Sequence, residues 1–399
     1  MSSTLQCIDI IEEKNKLGTQ VYDFGLGENK IPISSILDKS IKKYSNIKNY
    51  TLPSGISELN EIIIKKNTNK NFIPQQILYG NGLKELIFIL QMVFDGLIFH
   101  ITPSWLSYKE QIQILGKRSN LIEINTIVSN NYKIIPKELD NILSQYKSYE
   151  KIIIWNNPNN PTGVLYTPSE TKIIADIFNK YNTIVFADEI YSNICHHNEF
   201  MSISYFLPHL TIRGSSISKD LACGGHRLGW LVFPKQLEYL YNRCQKYSQI
   251  IYSCPSTMIQ YALADFYKNE TVVNDYYLLT NYIYEWAVKE TYDILKNTKL
   301  LLSKPGGGWY IFIDFINYRH KFKNIKNSHE LSLLLADKCG IISVAGENFG
   351  GSIWTIRLSL TNIKWEKHIE LDNIQYNLDR IVLPIKEGCA ILFHFLKNL

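Results

Sequence analysis

Short unbroken runs of apolar, mostly β-branched residues alternate along this chain with longer stretches in which apolar positions recur at helical spacing. Ile152-Ile153-Ile154-Trp155 and Ile184-Val185-Phe186-Ala187 are the clearest runs. A strand that is apolar at every position has no face for solvent, so helices must cover both sides of its sheet; this is the pattern of a mostly parallel α/β architecture. Seven strands are predicted, at 76–79, 97–101, 119–124, 151–155, 183–187, 211–215 and 229–233. The apolar stretch 86–101 is broken by Asp95-Gly96, so it reads as helix, turn and strand rather than a membrane span. Thr167-Pro168-Ser169-Glu170 supplies an N-cap, a proline at the first helical position and the glutamate of a capping box. Ile173, Ile174, Ile177 and Phe178 then follow at helical spacing. Helical patterns from 255 to 298 lead into a second, smaller α/β unit with strands predicted at 308–315 and 353–360. The expected division is a large domain, 30–285, and a small domain made of 1–29 together with 286–399.

Composition narrows the function classes. Apolar content of 45% with 20% charged residues is that of an ordinary globular chain. The net charge of +5 is spread over scattered lysines, which argues against a nucleic-acid partner. Seven cysteines form no CxxC pair, so neither a metal site nor a disulfide framework is expected, and reduced thiols in a cytoplasmic protein are. Charged residues within the first dozen or so positions leave no signal peptide to expect, and no membrane partner is predicted. Gly80-Asn81-Gly82 lacks the third glycine of a dinucleotide-binding turn, which removes a Rossmann dehydrogenase.

The polar residues that remain cluster at strand-to-loop junctions. Asn156-Asn157-Pro158 follows one strand, Asp188 another, and Ser216-Ile217-Ser218-Lys219 a third. Ligands in open parallel sheets sit beyond the carboxyl ends of the strands, so three ends deliver three polar groups to one edge. An amine to hold an aldehyde, an acid to keep a pyridine nitrogen protonated and a cradle for a phosphate together point to pyridoxal 5'-phosphate, PLP. Taken singly, each residue has an ordinary structural reading: a surface lysine, an N-cap aspartate, a core tyrosine, a turn asparagine.

Asn157-Pro158-Asn159-Asn160-Pro161-Thr162-Gly163, Asp188-Glu189-Ile190-Tyr191, Ser216-Ile217-Ser218-Lys219 and Gly225-His226-Arg227-Leu228-Gly229, in that order, resemble the class I/II aminotransferases, the fold type I PLP-dependent enzymes. The resemblance covers nearly the whole chain. It implies a three-layer αβα large domain with a mostly parallel seven-stranded sheet, plus a smaller α/β domain. It also implies a Schiff base through Lys219, Asp188 against the pyridine nitrogen, and Asn160 and Tyr191 on the phenolate oxygen. Catalytic roles fall on Lys219, Asp188 and Tyr191. Ser216 and Arg227, the backbone of Gly82 and Leu83, and Lys84 would hold the phosphate. Trp105 would stack on the ring, and Tyr50 would reach the phosphate from the partner subunit of a homodimer. Arg357 would clamp the substrate carboxylate, beneath Gly27 and beside Asn160. The implied activity passes an amino group from an amino acid to a 2-oxo acid. A β-lyase of the carbon–sulfur type or a decarboxylase of the same fold is the alternative, because the cofactor stabilises the carbanion whichever bond breaks.

Departures from the pattern are few. His226 stands where an aromatic is common, and Ala345 where proline is usual. The stretch Gln249 to Ser256 contains no arginine, which argues against a dicarboxylate held by a partner arginine there. Tyr22, Trp309 and Tyr310 are candidates for an apolar or aromatic pocket.

Overall fold

A computed structural model describes residues 3–16, 18–66, 72–196, 200–366, 369 and 371–399. Its strands are β1 (Tyr22–Asp23), β2 (Phe72–Gly80), β3 (Leu97–Thr102), β4 (Leu121–Asn125), β5 (Lys151–Asn156), β6 (Ile184–Asp188), β7 (Thr211–Ser216), β8 (Gly229–Pro234), β9 (Leu301–Leu302), β10 (Tyr310–Asp314), β11 (Ile341–Ile342), β12 (Val344–Ala345) and β13 (Thr355–Ser359). The seven strands predicted for the large unit form one sheet in the order β2-β8-β7-β6-β5-β3-β4. Strands β7, β6, β5, β3 and β4 pair in parallel, and β8 is antiparallel to both its neighbours. Boundaries shift by a few residues. Strand β2 starts at Phe72 rather than at 76, and β4 starts at Leu121 because 118–120 close into a 3-10 turn.

Helices cover both faces of this sheet, and the side-chain alternation shows it. Ile77 and Tyr79 join one apolar cluster while Leu78, between them, joins the other. Trp230 and Val232 divide from Leu231 and Phe233 in the same way. Successive strand residues point to opposite faces, so a sheet whose odd and even positions are both buried is the middle layer of three. Every residue of β5 and of β6 is buried, as the unbroken apolar runs demand. One cover is the helix Pro168–Lys180, which buries Ile174 and Phe178. The expected capping box forms at its start: the Thr167 hydroxyl accepts from the Glu170 N–H at 3.3 Å, and the Glu170 carboxylate accepts from the Thr167 N–H at 2.8 Å.

The smaller sheet has the order β12-β13-β10-β9 and is antiparallel throughout. The N-terminal segment is tied to it where the Ser359 N–H of β13 donates to the Phe24 carbonyl, and β1 pairs in parallel with β11 in a separate two-stranded sheet. One continuous apolar cluster runs from Tyr79 and Trp230 through the helices Thr257–Tyr267 and Glu270–Leu295 to Ile311 and Ile356. The two sheets are therefore joined by a shared core rather than by a linker. No helix among the described residues is long and apolar enough to cross a membrane.

Candidate active site

Register sets the site. Asn156 pairs with Asp188, and Asp188 with Gly214, so the carboxyl ends of β5, β6 and β7 are level. Beyond β7 the Ser216 hydroxyl caps a one-turn helix, Ile217–Asp220, by accepting from the Ser218 N–H at 2.9 Å. That turn carries Lys219 over the edge of the sheet. The N-terminal segment closes over it from above. Lys219 Nζ donates to the Gly27 carbonyl at 2.6 Å, and Asn29 Nδ2 donates to the Lys219 carbonyl at 2.8 Å. Tyr284 holds Asn29 in turn, its hydroxyl donating to Oδ1 at 2.8 Å.

Between these elements lies a cavity of about 400 Å³. Its walls bring together Gly27, Gly82, Leu83, Lys84, Trp105, Asn160, Asp188, Tyr191, Ser216, Lys219, Arg227 and Arg357. Tyr50 is not among them; its side chain is 87% exposed. Tyr310 lines the cavity, whereas Trp309 lies in the core, with its ring edge-on to Tyr191, and Tyr22 is a core residue away from the cavity. Sequence reasoning assigned no role to Tyr108, Glu28 or Asn156, which also line it. Tyr108 had a signal, since it stands three positions after Trp105 in Pro103-Ser104-Trp105-Leu106-Ser107-Tyr108.

The charges are lopsided. Four cationic side chains, Lys84, Lys219, Arg227 and Arg357, face two carboxylates, Glu28 and Asp188. Glu28 is exposed at the lip and pairs with Lys30 at 3.2 Å. Arg227 donates to the carbonyls of Gly224 at 2.7 Å and Asn81 at 2.5 Å. It does so from a left-handed backbone, φ +56°, which a branched or long residue adopts only when its surroundings hold it there. Arg357, 2% exposed, donates to Asn160 Oδ1 at 3.1 Å and to the Gly25 carbonyl at 2.5 Å, and its Nε has no partner among the described residues. Among the described residues no carboxylate pairs with any of the four. Lys84 extends over the Trp105 ring, 4.9 Å from its centroid. Withdrawal from water pulls its ammonium below the ordinary lysine range, Lys219 and Arg227 push the same way, and Glu110 opposes them.

Asp188 is buried, and desolvation pushes its carboxyl up from 3.8 to about 6 against the Tyr108 hydrogen bond and the Lys219 charge. The Tyr108 hydroxyl donates to Oδ2 at 2.5 Å, and the Ile190 N–H to Oδ1 at 3.2 Å. Burial also pushes the Tyr191 phenol well above its usual value, with Tyr310 adding to the shift.

The residues that line the cavity fit PLP by their charges and hydrogen-bonding groups. Arg227, Lys84 and the N-terminus of the helix Leu83–Val93 converge on one end of the cavity and call for a multiply charged anion. Gly82 opens that helix at φ +89°, a backbone that favours glycine, and a Cβ there would come 2.5 Å from Arg227 Nη2 and push the guanidinium aside. Asp188 adds a buried carboxylate that no cation pairs with among the described residues, a match for a protonated ring nitrogen. Arg357, whose Nε has no hydrogen-bond partner among the described residues, suits a separate carboxylate.

An open α/β sheet with this ligand cavity at its strand ends is the fold type I architecture, and solved structures agree. The aspartate aminotransferase of Thermotoga maritima superposes with a TM-score of 0.81 at 22% identity, covering 100% of this chain and 97% of that one. The aromatic aminotransferase of Pyrococcus horikoshii does so at 0.80 and 23%, covering 97% and 99%. At the sequence level, residues 12–367 match the family Aminotransferase class I and II, and the chain belongs to that family of PLP-dependent aminotransferases. It is 25% identical over 394 residues to the aspartate aminotransferase of Geobacillus stearothermophilus, covering 95% of each chain. It is 27% identical to a probable aspartate/prephenate aminotransferase of Aquifex aeolicus, covering 88% of this chain and 89% of that one. The enzyme is thus a transaminase of amino acids and 2-oxo acids, and the lyase and decarboxylase alternative is not favoured.

Proposed function

We propose that Lys219 is the covalent anchor and proton carrier of this aminotransferase, with the other cavity residues arranged around it. The observation that carries this reading is that Lys219 Nζ, held by the Gly27 carbonyl rather than by a carboxylate, shares one cavity with Asp188, Arg227 and Arg357. PLP, when bound, supplies an aldehyde for the amine and an electron-accepting ring. Asp188 faces the ring nitrogen and keeps it protonated. Tyr191 and Asn160 hold the phenolic oxygen. Ser216, Arg227, Lys84 and the N–H groups of Gly82 and Leu83 hold the phosphate, and Trp105 covers the ring. Arg357 grips the α-carboxylate of the amino acid with its planar fork, which lysine would not reproduce. Gly27, whose missing Cβ leaves room for Tyr310, lies over the substrate, and its carbonyl keeps the Lys219 amine aimed at the α-hydrogen. The freed amine of Lys219 then moves the proton from the α-carbon.

The same reading makes the protein a cytoplasmic homodimer in which Tyr50 completes the partner's phosphate site. Its support is the exposure of Tyr50, at 87%, together with that of Leu52, at 63%. The division into 30–285 and 1–29 with 286–399 is supported by the pairing of β1 with β11. The relatives' names put aspartate first in a panel of amino donors. Conversion of bound cofactor to its amine form by each donor, read by the colour change, tests the activity and names the substrate. Lys219→Ala should cut turnover by at least ~10³-fold and leave the fold intact; a variant with full activity would falsify the assignment.

A further inference from the structure

The ring and hydroxyl of Tyr310 touch three separate parts of the site. The hydroxyl lies 2.9 Å from the Tyr191 hydroxyl. The ring packs under the Arg357 guanidinium, 4.6 Å from centroid to Cζ. The same side chain occupies the space that a Cβ at Gly27 would need, and the Gly27 carbonyl is the acceptor for Lys219 Nζ. The ring does the stacking on Arg357, which phenylalanine would keep, while the hydroxyl and the adjoining ring edge together fill the space beside Gly27. The hydroxyl needs another reason, because a buried polar group is costly unless it is bonded, and Tyr310 is 2% exposed.

We propose that Tyr310 is a positioning residue that acts through Tyr191, its hydroxyl sharpening the hydrogen bond that Tyr191 gives to the cofactor. The inference rests on the role assigned to Tyr191 above. If Tyr191 gives its one proton to the phenolic oxygen of the cofactor, its own oxygen toward Tyr310 can only accept, so Tyr310 donates. A donor that is itself hydrogen-bonded is a stronger donor, since bonds in a chain polarise one another. Tyr310 therefore helps to stabilise the anionic phenolic oxygen. That lowers the pH at which the cofactor joined to Lys219 loses its proton, because a hydrogen bond to the charged form favours it. The ring of Tyr310 lies against Arg357, so carboxylate binding and the phenolic oxygen are reached by one side chain.

The test is a pH titration of the visible absorbance of the loaded enzyme, without substrate, for the wild type, Tyr310→Phe, Tyr191→Phe and the double variant. Loss of one neutral hydrogen bond should raise the midpoint in Tyr310→Phe by roughly 0.5 to 1 pH unit. Tyr191→Phe should raise it by about 1 unit or more, and the double variant no further than Tyr191→Phe alone, because one residue works through the other. The KM for the amino donor in Tyr310→Phe should stay within about twofold, since the ring against Arg357 is kept. A shifted midpoint in Tyr191→Phe with none in Tyr310→Phe overturns the inference and leaves the role of Tyr191 standing. So does a double variant whose shift equals the sum of the two. An unshifted Tyr191→Phe removes the Tyr191 assignment, and this inference with it.

Discussion

Asp188 and Glu189 are neighbours in sequence, leave the same strand end and are almost equally buried, at 3% and 2% exposed, yet their surroundings are opposite. Glu189 turns to the back of the sheet, where its Oε2 accepts from both Nε and Nη2 of Arg213 at 2.7 Å, and the Ser202 hydroxyl donates to its other oxygen. That pair forms part of the wall of a second cavity of about 280 Å³. Asp188 turns to the front, where a phenol and a backbone N–H are its donors and no cation pairs with it among the described residues. In the rear cavity the carboxylate is settled by a partner from the chain itself. In the front cavity, among the described residues, one carboxylate and four cations have no partner of opposite charge, and that charge is what a cofactor and a substrate would complete.

The largest effect should come from breaking this contrast at its centre. Asp188→Asn should lower turnover by about 10²- to 10⁴-fold. In cofactor-free protein the same change should stabilise. The folded carboxyl titrates at about 6, above its unfolded value, so the folded chain holds the proton more tightly. Ionised Asp188 therefore costs stability above pH 6, and the penalty fades as pH falls from about 6 towards 4. The variant should gain roughly 1–3 kcal/mol at pH 8 and little at pH 4, measured by denaturant unfolding. Glu189→Gln should do the reverse. It leaves Arg213 half-buried without its carboxylate and should cost about 3 kcal/mol, while the absorbance of bound cofactor is retained. If both variants lose stability alike, the contrast between the two cavities is wrong.

Next in size, Arg357→Lys keeps the charge and loses the fork. It should lower kcat/KM for an amino acid by about 10- to 100-fold, and should not change the rate with an amine that has no carboxylate. Acidification probes the same front cavity more gently. Cofactor affinity of the free protein should fall below pH 6 by up to about tenfold per unit as Asp188 takes up a proton, read by equilibrium absorbance titration. Flat affinity from pH 7 to pH 5 would detach Asp188 from the cofactor. The smallest effect belongs far from either cavity: Thr167→Ala removes one arm of the capping box and should cost about 1 kcal/mol, with turnover unchanged.

Much of the frame was legible before any coordinates. The apolar runs at 152–155 and 184–187 announced buried central strands, and Thr167 to Glu170 announced a helix start, because burial and capping leave their mark within a few residues. Asp188, Lys219 and Arg227 could be picked out from motif order, and the cavity brings them together. Tyr108 had no role, and Tyr310 stood out only as a candidate for an aromatic pocket. Their bonds to Asp188 and Tyr191 span 80 and 119 residues, and no periodicity carries information over such distances.

The sequence by itself determined which segments are strands and helices, which faces they bury, and which residue types stand at the strand ends. Local backbone preference and hydrophobic spacing suffice for that. Tertiary structure alone decided that β8 runs antiparallel between β2 and β7, that Arg227 adopts a left-handed backbone, and that the N-terminal segment lays the Gly27 carbonyl and the Asn29 amide on Lys219. Those outcomes depend on how whole layers pack around a shared core, which fixes distances between groups far apart in the chain.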